Sequence, residues 1–84
     1  MIKIYTITNC SFCAELKELL KTENIEFIDV NVDLDENEAE YNEINRISQS
    51  DDVPIIKVGK QLLVPNISFQ SIKEGVELVK KFLA

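Results

Sequence analysis

Cys10 and Cys13 are the two cysteines of this 84-residue chain, and both stand in the stretch "TNCSFCAEL" from Thr8 to Leu16. Three roles are open to a Cys-x-x-Cys pair: reversible disulfide exchange, metal ligation, or simple apolar filling. A zinc ion usually takes four protein ligands, or three where the site is catalytic. With two cysteines and no histidine, one chain cannot assemble that set from the usual ligands, and no metal site is expected within it. A cluster shared between two chains would have four thiolates, so an iron–sulfur dimer stays open as an alternative. Filling fits Cys10 poorly, because Cys10 falls where a strand pattern ends and a helix pattern begins. A helix start has backbone N–H groups without intrahelical partners, and the positive end of the helix dipole lies there. Both favour thiolate over thiol, and thiolate is the reactive form. Cys13 lies one turn further along the same helix face, within the reach of a disulfide, and belongs to the helix's apolar stripe. The pattern predicts an exposed Cys10 that attacks and a shielded Cys13 that resolves. The same pair on a non-enzymatic redox sensor is a further alternative.

The elements that must position this pair can be read from hydrophobic periodicity. A first strand over Ile2 to Thr8 has apolar residues on both faces, as a central strand covered on both sides would. A helix over Ser11 to Thr22 buries Cys13, Leu16, Leu19 and Leu20, with Asn24 as its stop. A second strand runs over Glu26 to Val32, and the resulting βαβ unit should be parallel with a right-handed crossover. "DLDENEAEYNEINRIS" predicts a second helix capped by Asp35, with a thin apolar edge of Tyr41, Ile44 and Ile47. Its acidic run reads as a solvated face. "VPIIKVGKQLLV" predicts a hairpin with Ile55, Ile56 and Val58 on one strand, a turn at Gly59-Lys60, and Leu62 to Val64 on the other. A closing helix over Ser68 to Leu83, with Ser68 and Ser71 as candidate caps, presents Phe69, Ile72, Val76, Val79 and Phe82. The order is β-α-β-α-β-β-α: an α/β domain with a four-stranded mixed sheet and helices on both faces.

Pro54 adds a second signal. Proline cannot donate to a sheet ladder, so within sheets it stands at strand starts, edges or bulges. Either Pro54 simply opens the third strand, or Val53–Pro54 is cis and lies beside the cysteines. In the second case Val53 would present its backbone N–H and C=O to an incoming peptide. Val64–Pro65 has no following strand and suits that role less well.

Composition sets the outer bounds. At 45% hydrophobic and 29% charged, residues 1–84 suggest one globular domain with a small core. A net charge of −6 would be repelled by phosphate backbones, so no nucleic-acid partner is expected. No apolar run approaches the ~20 residues of a membrane span. "MIKIYTIT" enters a strand pattern directly and lacks the order of a signal peptide, so the expected compartment is the cytoplasm. There a lasting structural disulfide is not expected, and a closely spaced cysteine pair is more often catalytic or metal-binding. A monomer is expected.

"IYTITNCSFCAELKELL", "VNVD" and "VPIIKVGK" before a closing amphipathic helix resemble the glutaredoxins, over nearly the whole chain and in the same order. The resemblance implies a thioredoxin-like fold and a thiol–disulfide oxidoreductase acting as an electron carrier. It makes Cys10 the nucleophile, Cys13 the resolving thiol, and Val53 the backbone contact beside Pro54. Phe12 matches the aromatic residue usual between the family's cysteines, and Ser11 stands where proline is more frequent. The glutathione site departs from the family pattern. Ile7 stands where a basic residue is frequent, and Asp52 where Thr commonly precedes Val-Pro. Leu63-Val64 replace a Gly-Gly pair, and Asn66 and Ile67 an acidic pair. Arg46 and Gln49, late in the second helix, are candidate contacts for a glutathione carboxylate, and Asn66 for substrate. No bound cofactor is implied; glutathione is implied only as a reductant. The chain is similarly close to short glutaredoxin-like redoxins, which serve ribonucleotide reductase and are recharged by thioredoxin reductase. The implied partners are therefore disulfide-containing proteins, with glutathione or thioredoxin reductase as the recharging system.

Overall fold

The computed structural model describes residues 2–84. Strands β1 (Ile2–Thr6), β2 (Ile28–Asn31), β3 (Ile55–Val58) and β4 (Gln61–Leu63) form one sheet in the order β2-β1-β3-β4. The first pairing is parallel and the other two antiparallel, which gives the mixed sheet expected. Helices α1 (Ser11–Thr22), α2 (Glu38–Ser48) and α3 (Ile72–Leu83) complete it. Strand alternation sorts the apolar residues between two faces. Ile2, Ile4, Ile56 and Leu63 meet Leu16 and Leu20 of α1 and Ile72, Val76 and Val79 of α3. Tyr5, Val30 and Ile55 meet Ile44 of α2 on the opposite face. β1 is thus central and covered on both sides. Among the described residues no helix is long and apolar enough to cross a membrane.

The boundaries differ from the sequence reading where side chains take over backbone donors. β1 stops at Thr6 instead of Thr8, because the Thr8 N–H donates to Asp33 Oδ2 at 2.7 Å and leaves the ladder. β2 is shorter at both ends than Glu26 to Val32. Asp35 does not cap α2: it begins a 3₁₀ turn, Asp35–Asn37, and the helix starts at Glu38 without a side-chain cap. Ser71 caps α3 by accepting from the Glu74 N–H. Ser68 instead accepts from the Val64 N–H, in the turn before the helix. Ile47 and Phe82 belong to no core, contrary to the stripes assigned to them. α2 has one buried residue, Ile44, and Ile47 lies almost a turn beyond it. Phe82 lies in the last turn of α3, beyond Val79, the helix's last buried residue.

The predicted stops hold. Asn24 is left-handed at φ 58°, with Asn24 N–H donating to Lys21 O and Ile25 N–H to Leu20 O, which closes α1. Gly59, at φ 60°, opens the two-residue β3–β4 turn, where a positive φ favours glycine.

α2 is also tied down by charge. Glu40 accepts from Lys3 Nζ at 3.0 Å and from the Tyr5 hydroxyl at 2.8 Å. The Lys3 bond, then the Tyr5 bond, hold its carboxyl below the usual 4.5. Burial, and then the Glu40 bond, push the Tyr5 phenol up. A carboxylate with a lowered folded pKa contributes its stability in full above its unfolded pKa and loses it as pH falls through the folded one. The urea midpoint should therefore fall as pH drops below about 4.5. Solvent reaches Lys3 and Glu40, so the dip is shallow. Glu40→Gln should flatten that part of the profile; an unaltered profile in the variant would show that the cluster does not contribute there.

Candidate active site

After β1 the chain turns through Asn9, left-handed at φ 59°, and enters α1 at Cys10. This β1–α1 loop is tied to the segment after β2. Besides the Thr8–Asp33 bond, Asn31 Nδ2 reaches Thr8 Oγ1 at 3.4 Å, and Asn31 Oδ1 accepts from the Asp33 N–H. Sequence periodicity carries no sign of this clamp, because its polar residues meet only through the parallel pairing of β1 and β2.

Cys10 is the N-cap of α1. Its backbone is extended, and its Sγ accepts from the Cys13 N–H at 3.1 Å. Cys10 and Cys13 are joined by a disulfide, with their Cα atoms 5.2 Å apart. Their exposure differs as expected: Cys10 is half-buried, and Cys13 is 1% exposed. In the reduced protein the N–H groups of the first turn would face a Cys10 thiolate. No acidic residue in that turn opposes it. An external thiol or disulfide can reach Cys10 sulfur, whereas Cys13 is left to react with Cys10.

Val53–Pro54 is cis. Tyr5 pairs with Ile55 across the antiparallel β1–β3 ladder. Pro54, one residue before Ile55, therefore lies at the end of the sheet from which the loop to Cys10 departs. Phe12 and Val53–Pro54 line one groove of about 280 Å³. Its other walls include Pro65, Asn66 and Phe69, and Gln70 to Ile72 at the start of α3. Phe12 is 62% exposed. Asn66 is left-handed at φ 65°, and its N–H donates to Phe69 O at 2.8 Å, folding the β4–α3 segment back over the groove. Among the described residues no hydrogen bond engages the Val53 N–H or C=O.

Phe12, Val53, Pro54 and Asn66 are thus brought together beside the cysteines. Arg46 and Gln49 are not among the groove's walls. Arg46 is exposed and pairs with Glu43 on its own helix, and Gln49 is the left-handed end of α2. Pro65, Phe69, Gln70, Ser71 and Ile72 are walls that the pattern of the chain did not single out. Of these, Phe69 and Ile72 carried a signal of core packing, Ser71 one of helix capping, and Pro65 was the less suitable of the two prolines.

Residues 2–63 match the sequence model of the Glutaredoxin family. An uncharacterized glutaredoxin-like 8.6 kDa protein in the rubredoxin operon of Clostridium pasteurianum is 42% identical over 64 residues, covering 76% of this chain and 83% of that protein. The solved structure of the thioredoxin-like protein BC3987 superposes with a TM-score of 0.73 at 20% identity, over 98% of this chain and 99% of that one. The glutaredoxin-like protein NrdH-redoxin from Escherichia coli gives a TM-score of 0.67 at 20% identity, over 95% and 91%. At that identity the two structures establish the thioredoxin-like fold alone.

Proposed function

Since this chain belongs to the glutaredoxin family and is a thiol–disulfide oxidoreductase, we propose that it is a dithiol electron carrier for disulfides in protein partners, recharged by thioredoxin reductase in preference to glutathione. The observation that carries this reading is the asymmetry of the pair: Cys10 accessible at the start of α1, Cys13 buried and bonded to it.

In the reduced protein the Cys10 thiolate attacks one sulfur of the target disulfide. A Cys10–target bond forms, the target S–S bond breaks, and one target sulfur leaves as a thiolate that takes a proton from water. Cys13, deprotonated, then attacks Cys10 sulfur, expels the second target thiolate and closes Cys10–Cys13. Two electrons pass to the target. The reductase returns two electrons from NADPH. The unengaged Val53 backbone groups offer a bound peptide one donor and one acceptor, and Phe12 and Asn66 flank it.

The choice of reductant rests on what the groove lacks. No Lys or Arg lines it, and Ile7 stands where the family often has a basic residue. A missing charge-assisted hydrogen bond costs about 1.5–3 kcal/mol, or roughly ten- to a hundredfold in rate or affinity. NrdH-redoxin, a neighbour in fold, has a thioredoxin-like activity profile, which is in keeping with the choice. The resemblance to the short redoxins puts ribonucleotide reductase first among protein targets to test.

NADPH consumption decides the question. The oxidised protein is given either thioredoxin reductase, or glutathione with glutathione reductase. We expect the first to be faster by roughly tenfold or more. Faster turnover with glutathione would overturn the choice of reductant. No turnover with either would overturn the carrier reading.

A further inference from the structure

The groove beside the cysteines has one charged wall residue, Asp52, adjacent in sequence to Val53. Its N–H donates to Ser50 Oγ at 3.1 Å. Its exposed carboxylate has no hydrogen-bond or ion-pair partner among the described residues. Another wall of the groove is the start of α3, where a helix would ordinarily attract an anion. Here two of the donors around that start are already taken. Ser71 Oγ accepts from the Glu74 N–H at 3.2 Å, and the Glu74 carboxylate accepts from the Gln70 N–H at 2.7 Å. A ligand carboxylate would compete with Glu74 for the Gln70 N–H and would share the groove with the Asp52 carboxylate.

We propose that Asp52 is a specificity-determining residue, pairing with a Lys or Arg side chain beside the target cysteine, so that the protein reduces disulfides flanked by cationic residues ahead of neutral or anionic ones. The inference rests on the oxidoreductase reading above and leaves its chemistry unchanged, since the same bonds form and break. It names the partner class: an exposed protein disulfide in a basic setting. It also supplies a reason for discrimination against glutathione, which carries two carboxylates. A target peptide aligned on the Val53 backbone would bring its neighbouring side chains to Asp52, one residue away.

The test uses the reduced full chain and three cyclic peptide disulfides, identical except for Lys, Gln or Glu beside one cysteine. Second-order rates of reduction are measured at low salt and at 1 M salt. We expect the order Lys, Gln, Glu, with Lys faster than Glu by roughly tenfold at low salt. The ratio should approach one at high salt, where the screening length is about 3 Å. In Asp52→Asn the low-salt ratio should fall within about twofold, and in Asp52→Lys the order should reverse. Equal rates in the wild type, or an unaltered ratio in Asp52→Asn, would overturn the assignment while leaving the carrier reading intact. If the wild type reduced none of the three, the carrier reading would fail and the assignment with it.

Discussion

Replacing Cys10 by Ser is expected to lower kcat/KM for disulfide reduction on the order of 10⁴-fold or more, the scale on which an enzyme loses activity with its nucleophile. A serine hydroxyl keeps its proton at neutral pH, whereas a cysteine thiol titrates near 8.5 and lower at a helix start. Cys13→Ser should behave differently. The first exchange still has its nucleophile, so Cys10 should capture the target and hold it. The signature is a mixed disulfide that resists non-reducing electrophoresis and whose mass equals the chain plus the target. The contrast follows from burial: with Cys13 1% exposed, an incoming disulfide can be attacked only by Cys10. Full turnover in Cys10→Ser, or adducts on Cys13 in place of Cys10, would sink the assignment. Ser11 belongs to the same argument. Proline, more frequent there in the family, has no N–H; serine adds one to the first turn of α1, where a thiolate gains from each donor.

The reactive pair was legible in the chain because everything that makes it reactive is local. A strand ending, a helix beginning, and three-residue spacing are all written within Ile2 to Thr22. The cis bond before Pro54 was also legible, as one of two alternatives, since proline restricts where it can stand in a sheet. The groove was less so. Its far wall comes from Pro65 to Ile72, a segment in which Asn66 turns left-handed and the chain folds back on Phe69. The helix-three boundary failed for the same reason. Ser68 and Ser71 are both good caps by type, and the choice between them is made by the Val64 N–H, which claims Ser68. A late position on α2 makes Arg46 a candidate contact, but its charge is answered by Glu43, three residues back. Position along a helix does not say which neighbour will answer a charge.

Phe69→Ala should cost about 3–5 kcal/mol of stability, the usual loss for a buried aromatic ring. Domains of this kind hold about 5–15 kcal/mol in all, so the variant should stand near its unfolding threshold. Phe69 is 2% exposed, packed between the sheet and α3, and its loss should also open the groove it lines. Gly75 shows how tightly that ring is held. A Cβ there would stand 3.2 Å from Phe69 Cδ2. Alanine in a helix interior is ordinarily favoured over glycine by about 1 kcal/mol. Here the enclosed ring cannot move aside freely, and overpacking costs about 1–3 kcal/mol, so Gly75→Ala should destabilise. The two effects separate in a double-mutant cycle. With the ring shortened by Phe69→Leu, or removed by Phe69→Ala where that variant folds, Gly75→Ala should lose its penalty and recover the helix preference. Urea unfolding of the four proteins gives the coupling directly. If Gly75→Ala stabilised the parent protein as well, the ring would not be the reason this helix carries a glycine.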